Sequence, residues 1–213
     1  MRSRLSVAIV MIIAALAYSC SDPSANKEKA VVGNAQQESS SPKSTGTEKL
    51  AITPENSKVE FVASKVTRSH NGSFKQFSGE IDLDPGNIAA SHVTIDIETS
   101  SVVADDDQLT GHLKTPDFFD VAKFPKAIFV STRIEPAAAG GDSYTITGNF
   151  DLHGVKKSIS FPATIKAAPD SVAVNAEFSI NRKDFGIVYA GKADDLIRDG
   201  VVIKLSLKVP RKK

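Results

Sequence analysis

Residues 143–167 read SYTITGNFDLHGVKKSISFPATIKA, and this stretch decides the architecture. Tyr144, Ile146, Gly148, Phe150 and Leu152 share one parity, and polar residues hold the other. After the turn at His153-Gly154, Ile159, Phe161, Ala163 and Ile165 align in the same way. Side chains alternate across a strand, so a period of two predicts two half-buried strands. Pro162 has no N–H for a ladder, which favours an edge position or a bulge there.

The same rhythm runs outward in both directions. In SKVEFVASKV, Val59, Phe61 and Ala63 share a face, and Phe77, Gly79, Ile81 and Leu83 form the return strand. Asn71-Gly72 between them is a strong hairpin-turn signal, because both residues tolerate positive φ. Val93, Ile95 and Ile97 alternate with His92, Thr94, Asp96 and Glu98. AIFVSTRIE, VAVNAEFSI and VVIKLSLKV complete a set of eight strands joined mostly by short turns. Such spacing predicts one all-β domain, an eight-stranded antiparallel barrel or sandwich. Its inward face mixes Phe129, Phe150, Phe161 and Phe178 with Gly79, Gly148, Ala63, Ala163 and Ala176. Small residues among large ones either leave room for a ligand or let the large ones interdigitate, and the pattern allows both.

The interruption falls at 110–132, TGHLKTPDFFDVAKFPKAIFVST. Phe118, Phe119 and Phe124 do not follow period two, and Pro116 and Pro125 bracket them. A short helix over roughly 107–121 is expected, with Thr115 or a near neighbour as a cap and Pro116 and Asp117 in a first turn. It packs across one end of the barrel with its phenylalanines inward, as a plug or a ligand mouth.

The formal net charge of +1 offers no basic field for nucleic acid, and none is expected as a partner. Arg2 and Arg4 precede the apolar run LSVAIVMIIAALA, which suits a signal-peptide core. Cys20, the only cysteine, closes that run and precludes an internal disulfide. Residues 20–50 are polar, rich in Ser, Lys, Glu and Gln, and read as a disordered tether. A coil of about 30 residues reaches roughly 30 Å. The expected organisation is a signal peptide (1–19), a tether (20–50) and a barrel domain (51–213).

Two resemblances add to this. AYSC resembles a bacterial lipoprotein signal, which implies acylation of Cys20 and a membrane-anchored protein facing the periplasm. GEIDLDPGNI, SHVTIDIETSSV, LTGHLKTPDFFDVAKFPKAIFVST, YTITGNFDLHGVKKSISFP and FSINRKDFGI, in that order, strongly resemble the YceI-like family. That likeness implies a lipocalin-like eight-stranded antiparallel barrel, periplasmic or secreted, whose interior holds a polyisoprenoid or other long-chain amphiphile, a quinone among them. Dimers occur in the family, so a homodimer is an expectation. No cofactor beyond a bound lipid is implied.

Candidate ligand contacts are Phe61, Ile95, Phe118, Phe119, Phe129 or its neighbour Ile128, Phe150, Phe161 and Phe178; each also suits plain core packing. His112 suits a polar head group or a backbone hydrogen bond at a helix start, and local sequence positions no carboxylate with it. Arg182 suits a phosphate or quinone oxygen, since its planar fork matches such groups, or a salt bridge to Asp184 or another carboxylate. Asp105-Asp106-Asp107 lacks the alternating ligands and glycine of a calcium loop. No nucleophile elbow, P-loop, dinucleotide fingerprint or zinc signature is present, so no catalytic residue and no metal ligand is assigned.

Overall fold

The structure is a computed structural model that describes residues 22–37 and 47–211. The elements in chain order are β1 (Val31–Asn34), β2 (Glu48–Ile52), β3 (Ser57–Ser64), β4 (Ser69–Phe74), β5 (Phe77–Leu83), β6 (His92–Glu98), β7 (Val102–Ala104), α1 (Asp107–Leu113) and β8 (Lys126–Pro136). They continue with β9 (Ser143–Leu152), β10 (Val155–Ala167), β11 (Ser171–Asn181), β12 (Gly191–Lys192), β13 (Asp195–Leu196) and β14 (Gly200–Pro210). The fold is all-β with one short α-helix among the described residues.

Eleven strands follow one antiparallel path, β2-β5-β6-β8-β9-β10-β11-β14-β3-β4-β7, and β1 joins β10 from outside it. The expected count of eight is therefore corrected. All eight expected runs are strands, but β2, β4 and β7 lengthen the path. The reason is a corner. Only Lys75 and Gln76 separate β4 from β5, and the turn Thr99–Ser101 separates β6 from β7. β5 pairs with β6 while β4 pairs with β7, so two neighbouring chains bend together. Gln76 N donates to Ser101 Oγ at 3.0 Å, and Thr99 Oγ1 donates to Phe124 O at 2.7 Å. These local hydroxyl bonds replace ladder bonds at the bend. The bend curls the sheet around, because β4 lies beside β3 while its continuation β5 lies beside β2.

The alternation works as expected inside the wall. Val93, Ile95 and Ile97 are buried, and the residues between them are half-buried. His153 and Gly154 take φ of 54° and 74°, which matches the right-handed twist of β9 and β10 in a two-residue hairpin. The Asn71-Gly72 turn is not formed. Both residues lie within β4, and the β3–β4 turn falls earlier, closed by Lys65 N donating to Arg68 O at 2.8 Å. Gly72 is instead a place for an aromatic ring. A Cβ there would lie 2.1 Å from Phe61 Cζ on the neighbouring strand. Gly148 is covered in the same way by Phe129. The small inward residues thus let large neighbours lie across them.

The helix is also shorter than expected. α1 ends at Leu113, and 114–123 is a series of turns. The residue before a proline is disfavoured in the α region, so Thr115 before Pro116 stops the helix rather than starting one. The N-cap is Asp106, whose Oδ1 accepts from Leu109 N at 2.8 Å. Thr115 closes the other end, its Oγ1 donating to His112 O at 2.8 Å.

Part of the expected tether is ordered. Residues 22–27 form turns, and β1 pairs antiparallel with β10, Val31 opposite Ser160 through Asn34 opposite Lys157. Ala30 N donates to Ser179 O at 2.8 Å and Ser179 N to Glu28 O at 2.9 Å, which ties the same segment to β11. Gln36 N donates to Asn149 Oδ1 and Asn149 Nδ2 donates to Gln36 O, both at 2.8 Å. The expectation of disorder rested on polar composition. It fails here because strand edges of the barrel supply the backbone partners that a polar segment needs. The expected signal peptide (1–19) and Cys20 lie outside the described residues.

Candidate ligand cavity and its mouth

The antiparallel order sends the β3–β4 turn, α1, residues 114–125, the β9–β10 turn and the 182–199 connection to one end of the wall. This end is the mouth. Two cavities follow one another behind it. The outer one, about 100 Å³, is lined by Leu113, Phe118, Phe119, Ala127, Ile187 and Ile197 among others. The inner one, about 70 Å³, is lined by Ile95, Phe129, Ile159, Phe161, Phe178 and Leu205 among others. Phe61, Phe74, Ile97, Phe150, Ile180 and Ile203 line both, so the cavities are two chambers of one apolar interior.

The candidate contacts divide between the chambers. Phe118, Phe119 and Arg182 belong to the outer one. Ile95, Phe129, Phe161 and Phe178 belong to the inner one, while Phe61 and Phe150 span the waist. Ile128, the alternative to Phe129, faces away from both. Phe161 and Phe178 stack with centroids 4.1 Å apart, and Phe129 tilts against Phe161 at 5.6 Å. At the waist Phe61, Phe74 and Phe119 form a triangle with centroids 5.5 to 6.5 Å apart. Offset and edge-on aromatic contacts of this kind suit the ring quadrupole. Phe124 does not face inward. It covers the β9–β10 turn, 4.6 Å from the His153 ring, and a Cβ on Gly154 would meet it at 2.4 Å.

Arg182 is the one buried cation of the site, 4% exposed. Its Nη1 donates to Ile187 O at 2.7 Å, Nε to Arg198 O at 3.1 Å and Nη2 to Ile197 O at 3.3 Å. Asp199 Oδ1 stands 3.4 Å from Nη2. Burial pushes the guanidinium's pKa down, and Asp199 acts the other way. The carboxylate that Arg182 meets is thus Asp199 and not its near neighbour Asp184. Three carbonyls from one connection make Arg182 a clamp that holds the 187–198 segment against the wall; its buried donors are already engaged.

His112 sits in the last turn of α1, not at a helix start. Its Nε2 lies 2.7 Å from Asp117 Oδ2, a carboxylate brought in by the turn at Pro116. Its ring is 4.9 Å from Phe118 and 5.2 Å from Tyr189. The imidazole thus lines a polar groove of about 520 Å³ outside the apolar chamber, with Arg68, His70, Tyr189 and Lys192. The acidic triplet is used by the protein. Asp105 accepts from Asn71 N at 2.9 Å and meets His70 Nδ1 at 2.8 Å; these partners hold its carboxyl below the usual range. No group of three or more potential metal ligands occurs among the described residues.

Sequence reasoning missed Phe74, Tyr189, Ile187 and Ile197. Phe74 was hidden by the misplaced Asn71-Gly72 turn. The other three lie in a connection without periodicity, where only the fold brings them to the mouth. Ile97, Ile180 and Ile203 were legible as inward positions of alternating runs.

Fold and site define a barrel-like protein with an apolar, aromatic-lined interior. Residues 50–209 match the model of the YceI-like domain, and the chain belongs to that family. The Protein YceI of Salmonella arizonae is 36% identical over 122 residues, 54% of this chain and 62% of that protein. The chain thus spans less than two thirds of such a curated relative. The crystal structure of Burkholderia cenocepacia BcnA superposes with a TM-score of 0.66 at 27% identity, covering 74% of this chain and 98% of that one. A polyisoprenoid binding domain from Saccharophagus degradans, implicated in plant cell wall breakdown, gives 0.62 at 18% identity over 78% of this chain and all of that domain, a likeness of fold.

Proposed function

We propose that this protein sequesters or carries a polyisoprenoid or similar long-chain amphiphile, a quinone included, with the tail in the two-chamber interior. The observation that carries this reading is the shared aromatic waist, which sets two apolar chambers in line behind one mouth. Burying each CH₂ contributes about 0.8 kcal/mol, so a few isoprene units suffice without any specific polar contact. The chambers together are smaller than the roughly 300–1,000 Å³ of ordinary ligand pockets. A long chain therefore enters only as the waist rings Phe61, Phe74 and Phe119 turn aside. The mechanism is shielding of the tail from water, not catalysis. The His112–Asp117 pair and Arg182 have structural partners, and we assign them no chemical step.

In the same reading Cys20 is acylated, and the protein faces the periplasm from a membrane of the cell envelope. Organic extraction of protein purified from its native envelope, followed by mass spectrometry, is expected to show an enriched long-chain lipid. Repeated preparations without one would sink the proposal. The small volume of the chambers favours a second reading, a filled barrel that acts in envelope structure or stress through a protein partner; lipid-free preparations that keep their cellular role would support it. Sedimentation of the purified chain tests the homodimer suggested by family likeness. Cys20→Ser is expected to release the protein from membranes, and unchanged association would refute acylation as the anchor.

A further inference from the structure

The N-terminal chain joins the barrel at its mouth. The Asp22 carboxylate accepts from Ser24 N at 2.9 Å and Ser24 Oγ at 2.7 Å, and lies 3.7 Å from Arg198 Nη1. Ser24 is 6% exposed and packs on Gly200, where a Cβ would meet Ser24 Oγ at 2.2 Å. Lys27 pairs with Glu177 at 3.1 Å, and β1 follows. Residues 22–36 are thus fixed to the wall, and the free length that remains is short. Cys20 is two positions from Asp22, at most about 7 Å away. Ala17, the last residue of the apolar run, is five positions away, at most about 18 Å. An anchor at Cys20, or in an apolar run that ends at Ala17, holds the mouth, and not the opposite end, close to the bilayer.

The mouth also carries exposed aliphatic tips. Val66 in the β3–β4 turn is 52% exposed, and Val188 and Leu196 in the 182–199 connection are 63% and 49% exposed. Val66 N donates to Leu196 O at 3.0 Å, which sets two of the tips side by side. They frame the outer chamber, whose lining includes Ile187 and Ile197, their chain neighbours. Charges around them balance in pairs, with Lys65 to Asp195 at 3.1 Å and Lys183 to Asp199 at 3.0 Å. Apolar contact, and not net charge, is what this surface offers.

We propose that the end of the barrel formed by the β3–β4 turn and the 182–199 connection docks on the lipid bilayer, with Val66, Val188 and Leu196 in the interfacial layer and the outer chamber opening toward lipid. This rests on the membrane-anchor part of the proposed function. It replaces a domain held clear of the membrane by one seated on it, so that a lipid tail passes from bilayer to barrel without crossing water.

The chain contains no tryptophan, so single tryptophans report depth without background. The full chain is reconstituted into phosphatidylcholine vesicles with brominated acyl chains, as Val188→Trp, Leu196→Trp and, in the β8–β9 loop at the opposite end, Ala138→Trp. Flotation is measured on the same samples. The two mouth variants are expected to float, to emit at shorter wavelength and to be quenched several-fold more than Ala138→Trp, with no dependence on salt. Flotation with equal quenching at both ends overturns the docking and leaves the anchor standing. A chain that does not float overturns the anchor and the docking with it. Mouth quenching that vanishes in high salt overturns contact through apolar tips.

Discussion

The two sides of β10 differ. Toward β9 it pairs without a break from Val155 opposite Leu152 to Thr164 opposite Ser143. Toward β11 it pairs only from Thr164 to Ala167. Beyond that the strands separate, and residues 28–34 fill the seam. Pro162 marks the transition, between the portion of β10 held by β1 and the portion held by β11. One side of the strand is a hairpin closed by its own turn. The other is a long-range contact completed by a segment from far away in sequence. The comparison teaches that a local hairpin specifies its own register, whereas a seam between distant segments needs side chains and a strap to hold it.

The largest expected effect is across the seam. Phe178 on β11 stacks on Phe161 of β10, so Phe178→Ala removes the main side-chain bridge where ladder bonds are missing. It should cost about 3–5 kcal/mol in urea unfolding. A cost below about 1 kcal/mol would show that β1 alone holds the seam. On the hairpin side, Gly148→Ala places a Cβ 2.5 Å from Val130 O and 2.5 Å from Phe129 Cζ. A backbone oxygen cannot swing away as a side chain can, and overpacking of this kind costs about 1–3 kcal/mol. Equal stability of Gly148→Ala and wild type would mean that this side is less rigid than its ladder implies.

The strap itself is tested at Asn149, a side chain 1% exposed that is bonded through both amide atoms to Gln36. Asn149→Ala should cost about 1–3 kcal/mol. Hydrogen exchange should speed up at Ala30 and Ser179 while the β9–β10 amides stay protected. Uniform acceleration would show that strap and hairpin open together.

The smallest effect is a pH dependence. Burial acts to raise the Asp22 carboxyl, but the Ser24 hydroxyl and amide, with Arg198 and Lys29, outweigh it and leave its pKa lowered. A pKa lower in the folded state means that the stabilisation is present above the ordinary carboxylate value and is lost as pH falls through the lowered one. Protease cleavage within 22–36 should therefore increase only below about pH 4. An increase that begins near neutrality would point to another group.

Much of the wall was legible. Strict alternation at 143–167 placed β9, β10 and their turn, because the pleat ties each residue's face to its parity. The inward phenylalanines were legible for the same reason, and Phe61, Phe129, Phe150, Phe161 and Phe178 all line the chambers. The mouth was harder to read. Pro116 signalled a helix boundary but not which side of it was helical. Asn71-Gly72 looked like a turn because a glycine's local freedom and its lack of a side chain are the same letter in a sequence.

By itself, then, the sequence determined the all-β class, eight of the strands, their inward faces and the apolar character of the interior, all set by period-two chemistry over a few residues. Tertiary structure alone decided the bend at 75–76, the capture of residues 22–36 by the β10–β11 seam, and the meeting of His112 with Asp117 and of Arg182 with three carbonyls. Those depend on which distant backbone edges are left without partners once the strands of the wall have paired. No local pattern encodes that, because an unsatisfied edge exists only after the strands on both sides of it have paired.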